Sequence, residues 1–287
     1  MAVSMQDVKR RMRSVTSMEH ITNAMKLVSA AKLRRAKATF EKSNEQFHFI
    51  TQSIAEIFNN TTSIPERYLE GTREIKNTCY IVLTSSKGLC GGFNSNVIKE
   101  AEKLIEEHSD DSCIVSIGTK GRDYFAKNGI NIIADYPDPP ETISFLATQK
   151  MSRPIIEQYD KGEIDEVILV YTSYLSTLDQ QVKSVRLLPF NPETDPNVIK
   201  NEKEIEYEPS MEDVFNYLVP KYVETMLYSA IVESATCEHA ARRMAMENAT
   251  DNAREMLGEL ELNYNRARQT AITNQLIEIV SGSEAQK

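Results

Sequence analysis

Two long stretches flank the middle of this 287-residue chain, the first without glycine or proline and the second with only Pro220, Gly258 and Gly282, and that middle holds the other eight of the ten glycines, all between residues 71 and 162. Each flanking stretch repeats apolar residues at steps of three and four, while the middle alternates short β-rich runs with helix-like segments. These observations predict an α/β protein with a long antiparallel two-helix coiled coil, formed by the N- and C-terminal arms, plus a central α/β Rossmann-like domain. The boundaries expected are residues 1–62 for the first arm, 63–210 for the central domain and 211–287 for the second arm.

The first arm owes its length to what it lacks. Glycine and proline destabilise a helix interior by about 1 and 3 kcal/mol relative to alanine, and neither occurs before Pro65. Val8, Met12, Val15, Met18, Ile21, Met25 and Val28 mark an apolar stripe, so one helix is expected from near Ser4 to about Asn59. At 1.5 Å per residue it spans about 80 Å, a length that calls for a partner helix.

The middle changes character. Residues 79–84, 113–117 and 167–171 are apolar on both faces, as strands covered by helices on both sides of a sheet must be. Helix-like segments near 96–107, 121–127 and 144–160 separate them, which is the alternation of parallel βαβ units. In residues 180–188, Lys183 and Arg186 interrupt Val182, Val185 and Leu187, the pattern of an exposed edge strand. The cluster Pro137-Asp138-Pro139-Pro140 is a loop.

The second arm runs from Met211 to Val280, with a kink expected at Pro220. Its stripe includes Val214, Leu218, Met226 and Ile231, then Leu257, Leu260, Tyr264, Ala267 and Ala271, while Ala240, Ala241, Ala249 and Ala253 permit close approach of a partner helix. Met12, Val15 and Met25 are expected to face this stripe. The second arm outruns the first by about 15 residues at 1.5 Å each. Ile272, Leu276, Ile277, Ile279 and Val280 therefore have no expected partner within the chain. Two long helices packed on separate surfaces form the alternative arrangement.

Composition removes several functions. No stretch of about 18 apolar residues could span a bilayer. The four cysteines, Cys79, Cys90, Cys113 and Cys237, form no CxxC pair, and the histidines and acids form no HExxH or DxDxDG pattern, so neither a disulfide framework nor a metal site is expected. The net charge of −9 argues against nucleic acid. Residues 1–40 nevertheless carry nine bases against Asp7 and Glu19, or +7, which leaves −16 on the rest and suggests an acidic partner. A basic transit peptide would also be amphipathic, but those two acids and the continuation of the pattern past residue 40 speak against it.

The run Thr84-Ser85-Ser86-Lys87-Gly88-Leu89-Cys90-Gly91-Gly92 lies between an expected strand and helix, where phosphate loops occur. It matches neither GxGxxG nor GxxxxGK[ST], so a structural or partner-facing turn is favoured over nucleotide binding. Cys90 would need a nearby base to act as a nucleophile, and His20, His48, His108 and His239 are widely scattered; a small residue in a tight turn is the simpler reading. Arg34-Arg35 and Arg242-Arg243 lack interleaved aromatics and are read as solvated helix faces. No catalytic constellation and no cofactor are expected.

Three segments carry a resemblance. Ile21-Thr22-Asn23-Ala24-Met25-Lys26-Leu27-Val28-Ser29-Ala30-Ala31-Lys32, then Gly88-Leu89-Cys90-Gly91-Gly92-Phe93-Asn94, and finally residues 234–253 with Tyr264-Asn265-Arg266-Ala267-Arg268-Gln269 leading into 272–282 resemble the gamma subunit of the F-type ATP synthase, of bacterial type. The resemblance spans the chain. It departs from the family at Ser86 and Gln275, where an acid is usual, and at Ser283, where alanine is usual. The cysteine-bearing insertion of photosynthetic relatives is lacking, so no thiol switch is expected, and a helical pattern starting almost at Met1 fits a bacterial protein.

The resemblance implies a central rotor stalk without chemistry of its own. It couples proton or sodium flow through a membrane ring to conformational change at the beta-subunit catalytic sites by turning inside the alpha/beta hexamer. Implied partners are the alpha and beta subunits, the epsilon subunit and the ring of c subunits, with one copy per complex. The implied location is the cytoplasmic face of the bacterial plasma membrane, as a peripheral protein. Partner contacts are implied at Met25, Lys26, Lys87, Gly88, Cys90, Arg268, Gln269, Thr273, Leu276 and Ile279, with Arg268, Gln269 and Thr273 hydrogen-bonding a loop of beta. Two other classes remain: an α/β enzyme whose arms dimerise it, and a coiled-coil adaptor with no motor.

Overall fold

The computed structural model describes residues 5–59, 65–69, 74–107, 111–189, 208 and 210–284. In chain order the elements are α1 (Met5–Asn59), β1 (Asn77–Leu83), α2 (Phe93–Glu107), β2 (Asp111–Ile117), α3 (Thr119–Lys127), β3 (Asn131–Tyr136), α4 (Phe145–Lys161), β4 (Glu166–Tyr174), β5 (Gln180–Leu188) and α5 (Met211–Glu284). Contacts gather into two compact units, an arm unit of Met1–Ala30 with Arg242–Lys287 and an α/β unit of Ala31–Ala241. Both long helices contribute to each.

In the arm unit α1 and α5 run antiparallel. The hydroxyls of Thr22 and Thr250 lie 2.9 Å apart, and Arg254 donates to Glu19 at 3.0 Å, so residue numbers fall along one helix as they rise along the other. The inward residues of α5 are Met246, Thr250, Ala253, Leu257, Leu260, Tyr264 and Ala267, an unbroken alternation of four and three. Those of α1 are Val8, Met12, Val15, Glu19 and Thr22 on the same alternation. This is the 3.5-residue repeat of a coiled-coil seam.

The seam corrects the stripe expected from apolar residues alone. Met18, Ile21 and Val28 are exposed, at 55%, 60% and 58%. Two consecutive steps of three, 15 to 18 to 21, fall behind the helical turn and rotate off the seam, whereas 15 to 19 to 22 stays on it. The positions therefore pass to Glu19 and Thr22, which meet polar partners across the seam. On α5 the stripe ends at Ala267, and Ala271 is exposed.

In the α/β unit the sheet order is β3-β2-β1-β4-β5. The first four strands are parallel and β5 runs antiparallel to β4 at the edge. Cys79, Ile81 and Leu83 of β1 point to one face, where Val115, Leu169, the α4 residues Met151, Ile155 and Tyr159, and the α5 residues Phe215, Val219, Val223 and Leu227 bury them. Tyr80 and Val82 point to the other, under Val97 and Ala101 of α2 and Phe125 of α3. Two covered faces account for the continuous apolar strands. β3, absent from the sequence reading, is the opposite edge; only Ile132, Ala134 and Tyr136 are half-buried there, and a half-exposed alternation is a weaker signal.

α5 is central rather than peripheral to this unit. From residue 222 to 241 nearly every position is buried or half-buried, as in a helix surrounded on all sides. Pro220 sits inside the unbroken helix beside buried Val219. The acids of α5 at 224 and 233 are paired: Gln149 Nε2 and Lys221 Nζ donate to Glu224 at 2.9 and 2.8 Å, and Ser173 Oγ and the Tyr174 N–H donate to Glu233 at 2.7 and 2.8 Å, whereas the buried Ser234 Oγ meets no partner among the described residues. Phe40 and Phe47 of α1 meet Tyr174 and Tyr228 edge to face.

A second set of polar contacts ties α1, α5 and the turn Pro140–Thr142 together. Lys32 Nζ donates to Glu141 at 2.5 Å, and buried His239 pairs with the other carboxylate oxygen through Nε2. Burial would raise the Glu141 carboxyl, but the Lys32 hydrogen bond and the charge of His239 outweigh it and hold the group below the usual carboxylate range.

Three outcomes follow from this packing. A T22C/T250C chain should close an intramolecular disulfide on mild oxidation, whereas M18C/T250C should not, as read by gel mobility. Gly118 has φ +93°, and a Cβ there would lie 2.1 Å from the Thr84 carbonyl oxygen. Gly118→Ala should therefore lower folding stability in urea titration by at least about 2 kcal/mol. Because the folded Glu141 carboxyl titrates below its unfolded value of about 4.3, its stabilisation is complete above that pH and disappears as pH falls through the folded value. The gap in thermal midpoint between the natural chain and Glu141→Gln should accordingly narrow from pH 6 to pH 3.

Candidate functional site

The residues singled out from sequence fall into three separate places. Met25 and Lys26 are half-buried on α1, next to the outward side chains of Met18, Ile21, Leu27 and Val28. This group of exposed apolar residues arises because the seam rotates away from them. Pairing places Met25 and Lys26 opposite residues near 247 of α5, about 20 residues and hence about 30 Å from Arg268. They and the end of α5 are distinct surfaces of the arm unit.

That end of α5 is the second place. Arg268, Gln269, Thr273, Leu276 and Ile279 are all exposed, as is every described residue from 268 to 283. Ile272, Leu276, Ile277, Ile279 and Val280 are 49%, 57%, 57%, 68% and 58% exposed. Thr273 Oγ1 donates to the Gln269 carbonyl at 3.0 Å, a bond within the helix that leaves the oxygen's lone pairs facing outward. At the start of this segment lies a groove lined by Met5, Val8 and Arg11 of α1 and Leu260, Arg266 and Thr270 of α5.

The turn between β1 and α2, in the α/β unit, is the third place. Leu89 and Gly91 both have left-handed backbones, at φ 63° and 58°, and the interior is filled by the turn's own side chains. Asn94 Oδ1 accepts the Ser85 N–H at 2.8 Å, Asn94 Nδ2 donates to Cys90 Sγ at 3.3 Å, and Ser85 Oγ donates to the Lys87 carbonyl at 2.5 Å. Lys87, Gly88 and Leu89 face outward. Cys90 does not: it is 2% exposed and packs with Phe93 and Cys237 of α5, so the outward face of the turn consists of its neighbours. Ser86 Oγ donates to the Pro137 carbonyl at 2.8 Å, a bond that a carboxylate in its place could not make.

Chemistry at this end of the sheet is limited by α5. In doubly wound folds the ligand crevice opens at the C-terminal ends of strands where the order reverses, here between β1 and β4. Glu233 and Cys237 of α5 fill that position, one accepting hydrogen bonds from β4 and the other packed on the β1–α2 turn. Burial, reinforced by the Glu233 charge, pushes the Cys237 thiol well up and away from the thiolate a nucleophile needs. Among the described residues no three histidines, cysteines or acids are placed to hold a metal ion, and no helix is long and apolar enough to cross a membrane.

Two exposed leucines escaped the sequence reading. Leu175 and Leu178, at the β4–β5 turn, are 52% and 79% exposed. Single apolar residues in a short hairpin turn give no periodic signal, so only the folded structure reveals them.

Residues 4–286 match the family described as ATP synthase. The ATP synthase gamma chain of Alkaliphilus metalliredigens is 45% identical over 291 aligned residues, which cover 100% of both chains. The sodium ion specific gamma chain of Acetobacterium woodii is 38% identical and covers 99% of both. Among solved structures, a chain of the central stalk and c-ring structure of the Tetrahymena thermophila mitochondrial ATP synthase superposes with a TM-score of 0.62 at 25% identity, covering 80% of this chain and 99% of that one. A chain of the Euglena gracilis mitochondrial ATP synthase, from its OSCP/F1/c-ring structure, reaches 0.73 at 18% identity over 98% and 94%, a likeness of fold.

Proposed function

This chain belongs to the ATP synthase gamma-chain family, the central-stalk rotor of an enzyme complex, and from that premise we propose how its surfaces act. The arm unit turns inside a ring of alternating alpha and beta subunits, and catalysis belongs to the beta subunits. The single observation that carries this reading is the bare end of α5. Each large apolar side chain left in water there forgoes roughly 1.5 to 3 kcal/mol of burial, and five of them lie within residues 272–280. They are suited to a hydrophobic sleeve supplied by other subunits.

Below the sleeve, Arg268, Gln269 and Thr273 offer donors to a loop of beta, and the forked Arg268 guanidinium suits a carboxylate or carbonyl cluster. Lower again, Lys26 and the basic stretch that continues to Lys37 face an acidic loop of beta. The outward Lys87, Gly88 and Leu89 add a contact from the α/β unit, with the buried Cys90 holding the turn's shape. A rotor shifts the catalytic sites only by binding their alternative conformations unequally at each angle, which an asymmetric pair of helices does without chemistry of its own. The α/β unit sits at the ring of c subunits with epsilon beside it. One copy serves three alpha and three beta subunits, and the protein is peripheral on the cytoplasmic face of a bacterial membrane.

Truncation after Arg266 tests the reading. The shortened chain should keep its cooperative unfolding and lose only the corresponding helical signal in circular dichroism, because the core lies elsewhere, while assembly with alpha and beta or coupled ATP synthesis drops at least severalfold. Undiminished assembly and coupling would show that this segment is no bearing. By contrast, exposed ion pairs are worth only about 0 to 1 kcal/mol, so Lys26→Ala should retain most coupled synthesis in an assembled complex.

A further inference from the structure

Glu141 receives both long helices on one carboxylate. Its Oε1 accepts from Lys32 of α1 at 2.5 Å, and its Oε2 pairs with His239 of α5. The residue lies on the one-turn helix Pro140–Thr142, which leads into α4 and so belongs to the body of the α/β unit. His239 is 3% exposed and the Glu141 side chain 28%, so solvent screens this pair far less than it does Lys37–Glu41 on the open face of α1, while Lys32 reaches the same carboxylate from a half-exposed position. The three residues line one groove between α1, this turn and α5, together with Arg35, Tyr228 and Val232.

The contact differs from the aromatic contacts of α1, such as Phe47 against Tyr228, since apolar contacts are non-directional and permit sliding. It adds to the hydrogen bonds at Glu224 and Glu233 that already orient α5, and it takes in α1 as well. A charge-assisted hydrogen bond fixes both distance and direction, and here two of them converge on a single group. Lys32 lies one residue from the start of this unit's share of α1, and His239 lies two residues from the end of its share of α5. They are therefore placed at the level where both helices leave the α/β unit's core.

We propose that Glu141 is a positioning residue for torque transmission: a clasp that ties α1 and α5 to the turn before α4, so that twist in the α/β unit enters both helices at one level. The role rests on the rotor function proposed above. It makes the clasp a determinant of torsional stiffness rather than of binding to beta: Lys32 belongs to the basic stretch assigned to beta, but Glu141 and His239, the two residues varied in the test, lie off the proposed beta-facing surfaces. Without it, the helices remain packed but rotate and slide against the sheet by an extra margin, and part of each step is lost as elastic lag.

Two measurements test it. In the full isolated chain, hydrogen exchange of amides flanking Lys32 and His239 should quicken about tenfold in Glu141→Ala, and in His239→Gln as a milder variant of similar shape, with the sheet amides of β1 and β4 unchanged. In the assembled complex, a probe on the α/β unit of either variant should show angular fluctuations broadened about twofold against a fixed head, with ATP hydrolysis unchanged and the pumping-to-hydrolysis ratio lowered; Glu141→Asp should restore much of the stiffness. Unchanged exchange overturns the clasp. Faster exchange with unchanged angular width and coupling overturns the torque role while leaving the rotor intact. Failure of the natural chain to assemble with alpha and beta would instead overturn the rotor reading.

Discussion

The burial of α5 between residues 222 and 241 is the constraint on which the rest of the fold depends. One segment of helix closes a face of the sheet through Val223 and Leu227, fills the strand-end crevice with Glu233 and Cys237, and accepts α1 through Tyr228. In a helix covered on all sides a charged side chain is costly unless it meets a partner. Glu224 and Glu233 meet that condition with two hydrogen bonds apiece, from Gln149 of α4 and Lys221 of the same helix to Glu224 and from β4 to Glu233. These bonds fix rotation and register where apolar packing alone would be permissive.

The arm unit solves the opposite problem. Two helices without a sheet behind them have a single narrow seam, and in this one Glu19, Thr22 and Thr250 occupy positions that leucine would fill more stably. Polar residues at a seam specify register at some cost in stability. Register matters here because the two helices differ in length, 55 residues against 74, so a slip of one heptad would move the bare apolar end of α5 by about 10 Å along the axis.

Much of this was legible in the sequence because glycine and proline act locally. The ends of α1, the start of α5 and the buried strands β1, β2 and β4 follow from breakers and from continuous apolar runs. What escaped depends on partners. Apolar spacing alone placed Met18, Ile21 and Val28 on the seam, since it cannot see that the facing helix imposes a 3.5-residue repeat. The edge strand β3 has too little buried surface to stand out. The turn sequence around Cys90 suggested an outward face, yet nothing local shows that Cys237, nearly 150 residues later, covers its thiol. The bare end of α5 was visible in advance because helix length is arithmetic.

The arm unit pairs the first residues of the chain with nearly the last. Thr22 and Thr250 are 228 residues apart, and synthesis at about 5 to 20 residues per second separates their appearance by roughly 10 to 50 s. For that time the first part of α1 exists without its seam partner, displaying Val8, Met12 and Val15 in addition to the outward apolar residues it keeps. Helices of this kind draw little stability from propensity alone. The nascent chain thus passes through an interval of heightened stickiness that ends only when α5 has been made, so its biogenesis places a demand on chaperoning that the finished protein no longer shows.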